Sequence, residues 1–98
     1  MAQIVYSATA LDDLERLTDF LLEVNPSAAQ ETVTLISEAV AVLARHPMIG
    51  RPVESGFREL VISRGATGYV ALYTLEEGDC VAVHAIRHQR EAGFGAGF

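Results

Sequence analysis

The chain contains no lysine; all seven of its basic residues are arginine. A fold that grips nucleic acid by electrostatics alone is the first class this disfavours, because 13 acids against seven arginines leave a net charge of −6. A field of that sign repels phosphate backbones at long range. Cysteine is nearly absent: Cys80 stands alone and cannot form an internal disulfide. Its apolar neighbours predict a buried, inert thiol. No long hydrophobic run occurs, and the start MAQIVYSATALDD has neither a basic leader nor an apolar core. No membrane span or signal peptide is expected, and a cytoplasmic protein is.

What is present is hydrophobic and unevenly charged. Half of the 98 residues are apolar, enough for one core in a single domain spanning 1–98, with 93–98 as a flexible tail. Residues 1–44 hold Arg16 alone against Asp12, Asp13, Glu15, Asp19, Glu23, Glu31 and Glu38, a net of −6. Residues 45–98 hold six arginines and six acids and are neutral. The acidity therefore belongs to the first half and the guanidiniums to the second, where they can recognise carboxylates or phosphates bidentately.

Gln3–Tyr6 reads as a short strand. From Ala10 to Val24, Leu14, Leu17, Leu21 and Val24 recur at helical steps, widened by Leu11, Thr18 and Leu22, with Asp13 among the polar residues that fill the rest. Asn25-Pro26 stops that helix, since the residue before proline is pushed out of the helical region. Ser27-Ala-Ala-Gln30 reads as a capping box opening a second helix with Val33, Ile36, Val40 and Leu43 on one face. His46-Pro47 ends it, and Pro47–Gly56 is read as a loop.

Three β-branched-rich runs follow: Phe57–Ser63, Tyr69–Leu75 and Cys80–Arg87. A glycine-containing break at Arg64–Gly68 and the turn Glu76-Glu77-Gly78-Asp79 separate them, the pattern of antiparallel hairpins. The order is βααβββ, an α+β fold with a helix hairpin on a small, mainly antiparallel sheet. The tyrosines and histidines predict a second sheet face that is partly open.

Metal and phosphate chemistry find little footing. His46, His84 and His88 are the only histidines, and His84 and His88 on a regular strand stand about 13 Å apart, too far for one ion. The glycine-rich end GFGAGF has no helix after it, so it is no phosphate loop. No metal and no cofactor is expected. An acid–base ribonuclease needs a base, an acid and a cation on the phosphate; His88 with Arg64, Arg87 and Arg90 could supply them, and Tyr69 or Tyr73 could stack a base. The bland alternative is that His88, Gln89 and Arg90 merely finish a strand.

The order of parts carries a resemblance. A strand, an acidic helix and a second capped helix come first, then Gly50-Arg51-Pro52, Arg58-Glu59-Leu60 and a tyrosine-bearing strand. The chain closes on Ala85-Ile86-Arg87-His88-Gln89-Arg90-Glu91-Ala92-Gly93-Phe94. Almost the whole chain resembles the RelE/ParE toxin superfamily of type II toxin–antitoxin systems, nearest its ParE-type, plasmid-stabilisation branch. The resemblance implies a growth-inhibiting toxin neutralised by a cognate antitoxin. For the ParE branch it implies binding to a macromolecular target such as DNA gyrase without catalysis. Arg51, Arg58, Arg64, Arg87 and Arg90 are then the expected partner contacts, and homo-oligomers fit the apolar helix faces. The RelE branch implies instead a ribosome-dependent mRNA endonuclease, using Arg64, Arg87, His88 and Arg90. Its sites use lysines, which this chain lacks. A third implication is an inactive relative that only binds an antitoxin-like partner.

Overall fold

The computed structural model describes residues 1–64 and 67–89, with the side chains of Ser63, Arg64 and Thr67 also outside the description. The tail 93–98 and residues 65–66 of the break read at Arg64–Gly68 lie outside the described residues, while Arg64, Thr67 and Gly68 belong to strands.

Helix α1 (Ala8–Val24) follows strand β1 (Gln3–Tyr6) directly. Ser7 caps it: the Ser7 hydroxyl accepts the Ala10 N–H, satisfying one of the donors that a helix start leaves open. Asn25 then does two jobs. Its N–H donates to the Leu21 carbonyl at the end of α1, and its side-chain oxygen accepts the Ala28 N–H at the start of α2 (Pro26–Ala41). The second helix thus opens on Asn25 with Pro26 in the first turn, not on the Ser27–Gln30 box; proline there is preset for a helix and has no N–H to lose. The helix relaxes into a 3₁₀ turn at Val42–Ala44.

The segment read as one loop contains a fifth strand. β2 (Arg51–Pro52) pairs antiparallel with the start of β3 (Arg58–Arg64), Arg51 opposite Glu59 and Pro52 opposite Arg58. A two-residue strand carries no periodicity, and a proline is tolerated because β2 is an edge. The chain turns between them on Ser55 and Gly56, both at positive φ. β4 (Thr67–Glu76) and β5 (Cys80–His88) complete the sheet in the order β1-β5-β4-β3-β2. The β4–β5 hairpin turns on Gly78 and Asp79 at positive φ, as the acidic turn predicted. All pairs are antiparallel except β1 with β5, which are parallel. The architecture is α+β, two helices on a mixed five-stranded sheet.

The helix hairpin covers one sheet face. Ala10 and Leu17 from α1 and Ile36 and Val40 from α2, with Leu43 just beyond it, meet Ile62, Ala71, Tyr73, Val81, Val83 and Ile86 in one buried cluster. Ala29 and Thr32, not Val33, complete the inner side of α2, and Leu11, Leu22 and Val24 of α1 are exposed. Tyr69 and Tyr73 belong to this core. They point at the helices, not at an open face, because Tyr69, Ala71 and Tyr73 share one parity of β4.

β5 is not a regular strand. Leu72 pairs with Ala85 and Tyr73 with Val83, so His84 is an extra residue, a β-bulge. Val81 and Val83 face the core before it and Ile86 after it, which a strict alternation forbids. The histidine instead joins the face away from the helices. There it meets Phe57 edge-on at 5.2 Å and Thr74 Oγ1 through Nε2 at 2.8 Å. Since the Thr74 hydroxyl gives its single proton to Glu76, the His84 Nε2 is the donor in that contact. Cys80 at the start of β5 is half-buried, more accessible than its neighbours predicted, because β1 beside it is an edge strand.

Candidate macromolecular interface

Of the arginines predicted as partner contacts, Arg51, Arg58, Arg64 and Arg87 are on described backbone and fall into two groups at opposite ends of the sheet. Arg58 and Arg64 open and close β3, about 20 Å apart by the rise per residue.

At one end, Arg58 is turned inward to the loop before β2. Its guanidinium donates to the Gly50 carbonyl at 2.7 Å and the Met48 carbonyl at 3.1 Å. The fully buried Tyr73 holds the same loop from beneath: its hydroxyl accepts the Gly50 N–H at 2.9 Å and donates to the Pro47 carbonyl at 2.7 Å. A side chain at Gly50 would collide with that hydroxyl and with the Glu59 carbonyl, so glycine is required by close approach. Arg51, on the outside, is 74% exposed and ion-paired with Glu59 across the β2–β3 ladder.

At the other end, Arg87 and His88 close β5, opposite Val70 and Tyr69 of β4, and Arg64 pairs through its backbone with Thr67. The His88 ring stands edge-on to Tyr69 at 5.2 Å. Arg90 lies outside the described residues, as does the Arg64 side chain.

Asp13 anchors this end, and the sequence reading had placed it on the polar side of α1. It is buried, and its Oδ2 accepts the Ile86 N–H at 2.9 Å, supplying the acceptor that β5 lacks where β1 has ended. Its Oδ1 lies 3.8 Å from both Arg87 and Arg16. A signal was available: Asp13 stands three after Ala10 and four before Leu17, on the buried stripe of α1. A carboxylate on such a stripe calls for a specific partner.

Tyr69 and Tyr73 cannot stack a base where they lie, since both rings are buried and Tyr69 is 5% exposed. The bulge turns His84 away from the core face, while His88 meets the core residue Tyr69. Among the described residues no group of three or more His, Cys, Asp or Glu is placed to hold a metal ion. No helix among them is long and apolar enough to cross a membrane. What the ends offer is a pinned loop with Arg51 outside it, and a strand end where Arg87 is held against α1.

Residues 4–93 match the family model described as the ParE toxin of the type II toxin–antitoxin system parDE. The chain belongs to the ParE toxin family. Toxin RelE3 of Caulobacter vibrioides is 37% identical over 91 residues, covering 93% of this chain and 98% of that relative. Toxin RelE2 of the same organism is 35% identical over 88 residues, 90% and 96% of the two chains. Among solved structures, the chromosomal ParDE system from P. aeruginosa contains a chain of similar fold. It has a TM-score of 0.74 and 25% identity, with 90% of this chain and 96% of that one covered. This ParE-family chain is therefore a toxin of a type II toxin–antitoxin pair, and an antitoxin is its partner.

Proposed function

We propose that this toxin inhibits growth without catalysis, by binding a macromolecular target in the cytoplasm such as DNA gyrase. Arg51, which is exposed beside β2, with Arg64, Arg87 and Arg90 make its contacts, and Arg58 acts by fixing the loop that carries Arg51. The observation that supports this is the state of the groups a ribonuclease needs. His88 is set against the core residue Tyr69, and both tyrosines that could receive a base are in the core. A net charge of −6 with no lysine further disfavours collecting RNA. An inhibitor that works by occupying a protein surface needs shape and a few fixed arginines, not an acid–base pair.

The experiment is a gyrase supercoiling assay with purified toxin beside a translation reaction with ribosomes and mRNA. Loss of supercoiling with intact mRNA is the expected result, and Arg87→Ala with Arg90→Ala should abolish it. The second reading, a ribosome-dependent mRNA endonuclease using Arg64, Arg87, His88 and Arg90, draws on the RelE naming of the relatives at 35–37% identity. Codon-phased cuts in the mRNA with unaffected gyrase would establish it in place of the first.

A further inference from the structure

The loop before β2 is fixed through its backbone while its side chains are left to the solvent. Residues 46–49 form a turn, closed by the Ile49 N–H on the His46 carbonyl at 3.1 Å, with Pro47 presetting the first corner. From inside, the buried Tyr73 hydroxyl bridges the Pro47 carbonyl and the Gly50 N–H, and the Arg58 guanidinium donates to the Met48 and Gly50 carbonyls. Each of these bonds ends on loop backbone. The two large apolar side chains at the tip, Met48 and Ile49, are 64% and 57% exposed. A single exposed apolar residue is ordinary, but two adjacent ones on a pinned backbone make a preorganised wedge, which loses little entropy when a partner closes on it. Charge sets the loop apart as well. Residues 45–59 hold Arg45, Arg51 and Arg58 against Glu54 and Glu59, a net of +1, whereas the rest of the chain carries −7. Arg45 and Arg51 flank the tip in sequence, and both are exposed.

We infer that Met48 and Ile49 are the apolar anchor of the toxin on its protein target, entering an apolar recess whose rim carries carboxylates that meet Arg45 and Arg51. The inference rests on the reading that the toxin acts by occupying a protein surface, and it names the residues that grip and the chemistry of the recess. Two observations choose this occupant. The tip is continuous with Arg51, the exposed contact of that reading. A cationic, apolar tip on an otherwise acidic chain also complements an acidic surface with an apolar hollow. Methionine and arginine are enriched in protein interfaces, whose energy concentrates in a desolvated anchor ringed by polar groups. Nucleic acid fits poorly, since residues 47–52 have no aromatic ring to stack on a base and the net charge of −6 repels it. A second copy could offer its acidic helices to this loop only head to tail, a contact that builds rings or open filaments and not a closed pair.

The test uses the whole toxin with three readouts: growth arrest on induction, supercoiling by purified gyrase, and titration calorimetry against the antitoxin encoded with it. Met48→Ser with Ile49→Ser should raise the concentration for half-inhibition of gyrase at least about tenfold and relieve growth arrest, with antitoxin affinity within about twofold and the melting temperature held. Met48→Leu with Ile49→Val keeps the tip apolar and should stay within about threefold of wild type. Arg45→Glu with Arg51→Glu should weaken inhibition by about tenfold or more. Tyr73→Phe, which loosens the tip without changing it, should weaken inhibition by about three- to tenfold. A serine pair that inhibits like wild type overturns the inference. So does a parallel loss of antitoxin affinity, which would assign the tip to the antitoxin, or a change in oligomeric state with inhibition intact, which would assign it to a second copy. Should the serine pair melt early, the charge-reversed pair decides by the same criteria. Growth arrest without gyrase inhibition counts against gyrase alone, and cleaved mRNA against the non-catalytic reading; in both cases the effect of the serine pair on arrest still decides the loop. A wild-type chain that arrests nothing overturns both readings.

Discussion

Two side chains fix the two ends of the sheet, and each predicts its own cost. Asp13 gives β5 the acceptor it lacks beyond the end of β1. Replacing it by alanine strands the Ile86 N–H in a buried site and releases Arg87, at a cost of about 2–3 kcal/mol. An asparagine at that position keeps an oxygen for the same N–H, so Asp13→Asn should cost less than Asp13→Ala in urea unfolding while still lowering target binding through Arg87. Tyr73→Phe keeps the ring in the core and removes both hydrogen bonds to the loop, leaving the Gly50 N–H buried. A loss of about 1–3 kcal/mol is expected, with faster amide exchange confined to the Pro47–Pro52 segment. Of these two residues the sequence announces only one. Asp13 lies on a stripe that helical spacing reveals, whereas the Tyr73 hydroxyl finds partners 23 and 26 residues away that no local pattern connects to it.

Elements whose signals span several residues were legible, and those that hang on one residue were not. Helix α1 follows from its leucine spacing and the β4–β5 hairpin from Gly78 and Asp79. By contrast, β2 is two residues long, and the β5 bulge is a single inserted His84 with no glycine to mark it. The parity of β5 derived from a regular strand therefore fails beyond Val83. The start of α2 shows two valid signals in competition, Asn25 before Pro26 and the Ser27 box. The structure uses the first because Asn25 can close α1 and open α2 with no linker between them. Asn25→Ala should consequently cost about 1 kcal/mol through the lost cap. Ser27→Ala should cost almost nothing, which thermal melts of the two variants will separate. Arg58 and Arg87 could be named from the sequence as cations on strands, whereas Arg51 reads as part of a loop and Arg64 as part of the break after the first of the three strands. Their division between two ends depended on register, which the sequence does not encode locally.

The whole molecule is closed by its two most distant strands. β1 pairs in parallel with Cys80–Val83, and Ser7 extends the contact through its N–H to the Val83 carbonyl and its hydroxyl to the His84 carbonyl, 77 residues away. The composition predicted a sheet under a hairpin; that the first strand would lie beside the last was not readable, since four residues can pair with either edge. This closure also sets an alkaline limit. Tyr6 is half-buried in β1, and desolvation raises its phenol above the ordinary value of 10.0. A group whose folded pKa is raised holds its proton more tightly when folded. Its contribution is complete below about pH 10 and is lost as pH rises through the folded value. Stability should therefore fall at alkaline pH in the wild type and less steeply in Tyr6→Phe. The larger consequence concerns removal of residues 1–6. Without them the Val81 and Val83 side of β5 becomes a bare edge over the core, and α1 loses the strand that aims it at Asp13's partner on β5. Loss of β1 leaves β5 paired with β4 across their hairpin but withdraws the parallel pairing of Gln3–Tyr6 with Cys80–Val83, for which no segment close in sequence can substitute. The truncated chain should show helical far-ultraviolet signal without a cooperative thermal transition, and it should bind neither antitoxin nor target. A sharp transition with wild-type antitoxin affinity would instead place the organising contacts wholly within the hairpin and strands β3–β5.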